Sequence, residues 1–490
     1  MTEAAQYRER RWFALILLCF AQFIVVIDAA IVNVALPSIG EGLGFSQENL
    51  AWVVNAYVLT FGGFLLLGGR MADLLGRRRV FIAGLLLVAA ASLAAGFSAN
   101  EGQLIAARAA QGLGAAIISP SALSIITTTF SDGAERNKAL GAWGAVAGLG
   151  GAAGVLFGGI LTDGLGWEWV LWINVPVALV VAVLTPPLVA ESRSASETRH
   201  FDAAGAVSVT AGLSVLVYAL VDATEAGWGS TQTLGLLALS AALLAAFVAI
   251  ELRSRAPLVP FRIFRLRTLT GANVVGLLVG GSLFSMFFFI TLYMQQVLGY
   301  SAIKAGLSYL PLALMIIVAS GIASQLVTRI GFKPVLTAGM AFIAVALVWF
   351  SQVSVGGGFV TDILGPSLVA ATGLGFAFVT TTIAAVSGVR DQESGLASGL
   401  INTSQQIGGA LGLAVLATIA NSRTDDLVAS SGGDPSALTN ALTEGFQSAF
   451  LGGAAIAALG LVLTLVLIRG RDSRAHVEIG KRASEQPVEA

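Results

Sequence analysis

Fourteen runs of about 20 apolar residues, separated by short loops rich in charge, Gly or Pro, dominate this chain. A helix of that length spans about 30 Å, the thickness of a bilayer's hydrocarbon core. The runs lie at 12–36, 50–69, 80–99, 104–128, 138–161, 167–189, 204–222, 233–251, 269–296, 305–327, 333–352, 361–387, 397–420 and 447–468. In lipid every backbone polar group must be satisfied within the protein, so each run is expected as a helix. With 56% hydrophobic and 11% charged residues, most of the chain needs lipid rather than water. The basic "RERR" before Trp12 resembles the start of a secretory leader. The apolar run after it is too long and lacks a small-residue cleavage site, so it is read as the first membrane helix.

Charge placement tests the helix count. With the N-terminus inside, only Lys304 and Arg423 of the 27 Lys and Arg fall on the outer side, and Arg108 lies within a helix. Positive charge collects on cytoplasmic loops, so this split predicts both termini inside. A missed helix would scramble the alternation. A single cysteine, Cys19, excludes an internal disulfide, and two histidines in polar segments, His200 and His476, exclude an intramembrane histidine relay.

The chain also repeats. Ala134–Gly154 aligns without gaps on Gln392–Gly412 with 7 of 21 positions identical, among them Glu135/Glu393, Gly141/Gly399 and Gly150/Gly408. Arg70–Val80 corresponds to Gln325–Val335 at a nearly equal offset. Helices one to six thereby pair with nine to fourteen, and seven and eight are left as an insert, read as peripheral. Parallel six-helix repeats about an axis along the membrane normal are a transporter architecture. The expected units are 1–190 and 269–470 as six-helix bundles, 191–268 as the inserted helices with their linkers, and 471–490 as a cytoplasmic tail without fixed structure.

Asp28 is the costly residue. An ionised Asp at the centre of a membrane helix costs about 2.5–3.5 kcal/mol on insertion scales, and such residues mark ion or proton pathways. Arg108 is the sole basic residue in the body of a span, Lys138 and Lys333 standing at the first position of theirs. By rise per residue Arg108 lies about 8 Å and Asp28 about 13 Å below the outer ends of their helices. A structural ion pair is the plain reading, yet desolvation often cancels the attraction of such a pair. A carboxylate beside an arginine can instead switch protonation with its surroundings. Gln22 and Asn33, eleven residues apart, share one stripe of the first helix, and Asp28 points about 120–140° away. One stripe meets a cavity and the other a packed interface; spacing alone leaves both assignments open.

The motifs resemble those of one family. "GGRMADLLGRRRV" (Gly68–Val80) resembles the signature loop of the major facilitator superfamily, and "RAAQGLGAA" (Arg108–Ala116) its fourth-helix motif. "DAAIVNVALPSI" (Asp28–Ile39) and "WEWVLWINVPVAL" (Trp167–Leu179) resemble signatures of its 14-helix drug:proton antiporters, of the EmrB/QacA type. Val155 stands where that branch has a motif proline, and Glu168 where it has an arginine. The resemblance implies an all-α polytopic membrane protein with the major facilitator fold, two six-helix bundles plus two inserted helices. It also implies a cytoplasmic latch in which Asp73 faces the positive N-terminal end of the thirteenth helix near Ser394. Gly69, Gly76, Arg77 and Arg78 belong to that gate, with Asp132 as partner for Arg77.

Gly144, Gly148, Gly150, Gly154 and Gly158 on the fifth helix have spacings suited to close helix packing, and are expected to give smooth contacts between rocking halves. Phe287, Tyr293 and Met294 on the ninth helix offer an adaptable wall for bulky apolar ligands, or lipid-facing bulk. Asn402 and Gln405 add neutral hydrogen-bonding groups, and with Gln22 and Asn33 complete the candidate cavity. No phosphate-binding loop, metal cluster or cofactor motif is visible, so the expected drive is the proton gradient and no enzyme activity is expected. The expected partners are protons, lipid and a bulky amphipathic drug or metabolite that leaves the cell, with no nucleic acid and a monomeric state. The expected location is the bacterial cytoplasmic membrane. A nutrient symporter or a lipid-translocating transporter of the same fold is the alternative.

Overall fold

The computed structural model describes residues 10–45, 50, 52–131, 133–193, 202–254, 257–430 and 438–485. The first bundle holds α1 (Arg11–Leu43), α2 (Trp52–Leu75), α3 (Arg77–Gly96), α4 (Glu101–Thr129), α5 (Ala134–Leu165) and α6 (Glu168–Leu188). Helices α7 (Ala203–Ala226) and α8 (Thr231–Arg253) follow. The second bundle holds α9 (Arg267–Val297), α10 (Ile303–Ile330), α11 (Phe332–Phe350), α12 (Phe359–Val386), α13 (Ser394–Ser430) and α14 (Leu438–Leu467). Thirteen helices among the described residues are long and apolar enough to cross a membrane. The expected fourteenth, α13, is present as a 37-residue helix but is too polar to qualify by composition. Its polar residues turn toward neighbouring helices: Ser398 and Thr403 are buried.

Packing follows the internal repeat. In the first bundle α2 packs on α4, α1 on α5, and α3 on both α4 and α6; in the second, α10 packs on α12, α9 on α13, and α11 on both α12 and α14. The contacts between bundles are swapped in the same way, with α5 against α10 and α2 against α13. Small residues set the helix separation. A Cβ on Gly150 would sit 2.6 Å from Val26, and one on Gly158 2.9 Å from the Ile31 carbonyl, so α5 rests almost backbone to backbone on α1.

The helix-five glycines therefore correct one expectation. Gly150, Gly154 and Gly158 pack within the first bundle against α1, and only Gly144, facing Val379 of α12, meets the other half. The side-chain surroundings of Gly148 lie outside the described residues. The bundle seam on α5 uses other positions, Gly141 against Ser324 near one end and Gly159 against Ile303 near the other.

The inserted pair also differs from expectation. Helix α8 is mostly exposed to the surroundings, but α7 packs on both α2 and α13. Gly62 and Gly63 of α2 receive Val217 and Ser214, and the Trp228 indole donates to Thr418 Oγ1 at 2.8 Å. An interruption of the repeat thus covers a seam between the halves.

The tail is a further correction. The segment expected to lack structure continues as α15 (Gly470–Glu485). Docking supplies what its polar composition does not. Ser473 Oγ accepts from the Lys333 N–H at 3.0 Å, and the Thr268 hydroxyl donates to Asp472 at 3.0 Å. His476 packs edge-on against Phe332 of the second bundle and lies 3.3 Å from Asn137 Oδ1 of α5 in the first.

Candidate proton-coupling site and gate

Helix α1 brings Asp28 to a junction of α2, α3, α4 and α6. Arg108 Nη1 donates to Asp28 Oδ2 at 2.6 Å, and the two side chains are 0% and 3% exposed. Arg108 is itself held. Its Nε donates to the Val53 carbonyl at 2.9 Å, its Nη1 also to Gln111 Oε1 at 3.0 Å, and its guanidinium lies 4.5 Å from the centre of the Tyr57 ring. Nη2 of Arg108 has no hydrogen-bond partner among the described residues. Arginine's planar fork suits such multiple attachment where lysine does not.

The other carboxylate oxygen has partners of its own. Asn174 Nδ2 donates to Asp28 Oδ1 at 2.6 Å, and Gln111 Nε2 at 3.3 Å. Gln111 donates again to Ser92 Oγ of α3 at 2.7 Å, and the Tyr57 hydroxyl donates to the Val25 carbonyl at 3.0 Å. A buried carboxylate needs this kind of company, because leaving it unpaired costs several kcal/mol. The site is thus a closed polar network in an apolar setting, and Asp28 is on the packed side of α1. Asn33, in the other stripe, is exposed and turns its amide to the Ala29 carbonyl.

Spacing and charge had pointed to Asp28 and Arg108 alone. Asn174, Gln111, Tyr57 and Ser92 were missed as partners, although Gln111 and Asn174 lie inside the two quoted motifs. Asn174 sits where α6 breaks at Ile173, two residues before Pro176, whose missing N–H prevents a regular turn there.

At the end of the molecule that carries Arg70–Arg79, the halves are joined. Asp73 accepts from the backbone N–H of Gly395 and Leu396, both at 3.1 Å, at the start of α13. Arg77 donates to Asp73 at 2.8 Å, to Ser124 Oγ at 2.7 Å and to Ser394 Oγ at 3.0 Å. Ser124 and Ser394 share a hydrogen bond at 2.8 Å. A Cβ on Gly69 would strike the Gly395 carbonyl, and Gly76 takes φ +110°, a conformation open to glycine and strained for other residues. Arg78 is fixed by the Val189 carbonyl at 3.2 Å and approaches Glu191 at 3.8 Å. Asp132, named as the partner of Arg77, lies outside the described residues.

The candidate cavity is brought together only in part. Tyr293 and Met294 are buried inside the second bundle, at 1% and 0% exposure, and do not line a cavity. The single Tyr293 O–H has two acceptors in reach, the Ser354 carbonyl at 2.7 Å and Asp362 at 3.0 Å, an internal clasp between α9 and the segment entering α12. Phe287 is half-buried, stacks on Tyr309 at 5.2 Å, and is the nearest side chain to Gly151 of α5 across the seam. Gln22 and Gln405 are half-buried, and each leaves one amide atom, Oε1 and Nε2 respectively, without a partner among the described residues. Asn402 donates to the Ser398 carbonyl of its own helix.

Comparison with known proteins agrees with this architecture. A family model, the Major Facilitator Superfamily, matches residues 18–413. A cephamycin export protein of Amycolatopsis lactamdurans is 41% identical over 93% of this chain and 92% of its own length. A puromycin resistance protein of Streptomyces alboniger is 38% identical over 95% and 93%. Among solved structures, the human organic anion transporter MFSD10 superposes with a TM-score of 0.66 over 93% of this chain and 99% of that one, at 14% identity. The proton:xylose symporter XylE gives 0.64 over 95% and 96%, at 15% identity, a likeness of fold alone.

Proposed function

Since this chain belongs to the major facilitator superfamily and is a multi-span membrane transporter, we propose that it exports bulky amphipathic small molecules, antibiotics or secondary metabolites, in exchange for protons. The basic end is then cytoplasmic, with both termini inside, and the protein works as a monomer in the bacterial cytoplasmic membrane. The roles for which two relatives are named, cephamycin export and puromycin resistance, support the substrate class.

One observation carries the coupling: a buried carboxylate, Asp28, held by a buried arginine from another helix. A proton taken up from outside cancels the carboxylate charge and with it most of the attraction to Arg108, which loosens α1 from α4. Substrate leaves outward during this step. The inner latch at Asp73 then opens, the proton leaves to the cytoplasm, and the ion pair closes again. Each proton contributes about 2.3 kcal/mol per 100 mV of membrane potential, plus the pH difference.

The test is transport into inverted membrane vesicles with an acidified lumen, for neutral, anionic and cationic amphiphiles. The expected result is accumulation that a proton ionophore abolishes. Accumulation unaffected by the ionophore, or movement of no amphiphile in the panel, contradicts the reading.

A further inference from the structure

Arg108, Gln111 and Asn174 all reach Asp28, but they differ in what they can do once Asp28 takes a proton. Arg108 has donors only and no way to accept. Gln111 is fixed from two sides, its Oε1 accepting from Arg108 and its Nε2 donating to Ser92. Turning that amide would aim an NH₂ group at the guanidinium. Asn174 has no such restraint. It is 1% exposed, and among the described residues its side chain makes one hydrogen bond, to Asp28 Oδ1 at 2.6 Å.

Resting on the proton coupling proposed above, we infer that Asn174 is the positioning residue that places the proton on Asp28 Oδ1 and keeps α1 tied to α6 when it arrives. In the ionised state the Asn174 Nδ2–H donates to Oδ1. The incoming proton bonds to Oδ1, the amide turns half a revolution about its terminal torsion, and the new O–H donates to Asn174 Oδ1. An amide serves either state because it carries both donor and acceptor. Oδ2, left as a neutral carbonyl oxygen, keeps only a weakened contact with Arg108. Protonation therefore loosens one helix contact, α1 to α4, and preserves another, α1 to α6.

The groups around Asp28 fit this selectivity. The titratable or charged groups facing it among the described residues are Arg108 from α4 and Tyr57 from α2. Helix α3 contributes Ser92, reached through Gln111, and α6 contributes Asn174. Helix α5 meets this stretch of α1 with Gly150 and Gly154. Among the described residues no second acid faces Asp28 to offer the proton an alternative, and the break of α6 at Ile173 puts Asn174 where the helix can follow the amide.

The test is infrared difference spectroscopy between high and low pH on the full chain in proteoliposomes, with Asp28→Asn identifying the protonated-carboxyl band of Asp28. In Asn174→Leu that band is expected to shift upward as its O–H loses its acceptor, and in Asn174→Gln to return toward the native position. Gradient-driven transport in Asn174→Leu falls by about tenfold or more, the loss expected for one charge-assisted hydrogen bond, while substrate exchange without a gradient persists. Asn174→Ala replaces the leucine variant if that one does not fold. A band unmoved by both apolar variants overturns the inference, as does equal loss in the leucine and glutamine variants. A native difference spectrum that Asp28→Asn leaves intact refutes the coupling role of Asp28 itself, a separate outcome.

Discussion

Asp28 and Arg108 meet at 2.6 Å with neither side chain open to solvent, 80 residues apart in the chain. Removing one member leaves the other charged and buried. Arg108→Ala is therefore expected to destabilise the protein by about 3–5 kcal/mol, read as a lowered thermal midpoint in detergent. The double change Asp28→Asn with Arg108→Ala is expected to recover most of that stability without recovering gradient-driven transport. Stabilities that simply add would show that the two residues are independent.

Arg108→Lys keeps the charge and is expected to fail as well. A lysine ammonium cannot reach Asp28, Gln111 and the Val53 carbonyl from one rigid plane. Transport under a pH gradient should drop at least about tenfold, in line with the loss of one or more charge-assisted hydrogen bonds.

Gly69 and Gly395 leave no room between α2 and α13. Gly69→Val is expected to hold the inner seam apart. With Cys19 changed to Ser, a cysteine at the buried position Ser398 should react with a membrane-impermeant maleimide in inverted vesicles several times faster in the Gly69→Val background. Equal rates would mean that the seam tolerates the side chain.

Asp73→Asn retains the shape of the latch and removes its charge. Two backbone N–H donors and Arg77 lose an ionised acceptor, a change on the order of 1–3 kcal/mol for hydrogen bonds to a charged group. The same Ser398 cysteine should become about tenfold more reactive, and Arg77→Gln should act in the same direction.

Helix α15 bridges the halves at the same end, through His476 beside Asn137 on one side and Ser473 bonded to the Lys333 N–H on the other. Truncation after Arg469 is expected to lower thermal stability by about 1–3 kcal/mol, as expected for the loss of two or three hydrogen bonds and their packing. An unchanged midpoint would show that the helix rests on the bundle without bracing it.

Much of this could be read in the sequence because lipid makes the rules simple. A charge in an apolar run is conspicuous, so Asp28 and Arg108 stood out, while Asp73 was marked only by the resemblance of its loop to a family signature. Neutral amides do not stand out. Asn174 and Gln111 look no different from Gln22 or Asn402 until the fold shows which of them face a carboxylate. Periodicity also cannot separate a cavity wall from a bundle core: Tyr293 and Met294 have the composition of a ligand wall and the burial of core. The tail misled for a related reason, since α15 is held by specific docking that composition does not reveal.

The most direct test compares Asp28→Asn with the native protein in inverted vesicles, measuring both pH-gradient-driven accumulation and substrate exchange without a gradient. The expected outcome is loss of accumulation with exchange preserved. Gradient-driven accumulation at the native rate in Asp28→Asn would contradict the assignment of the coupling proton to this carboxylate.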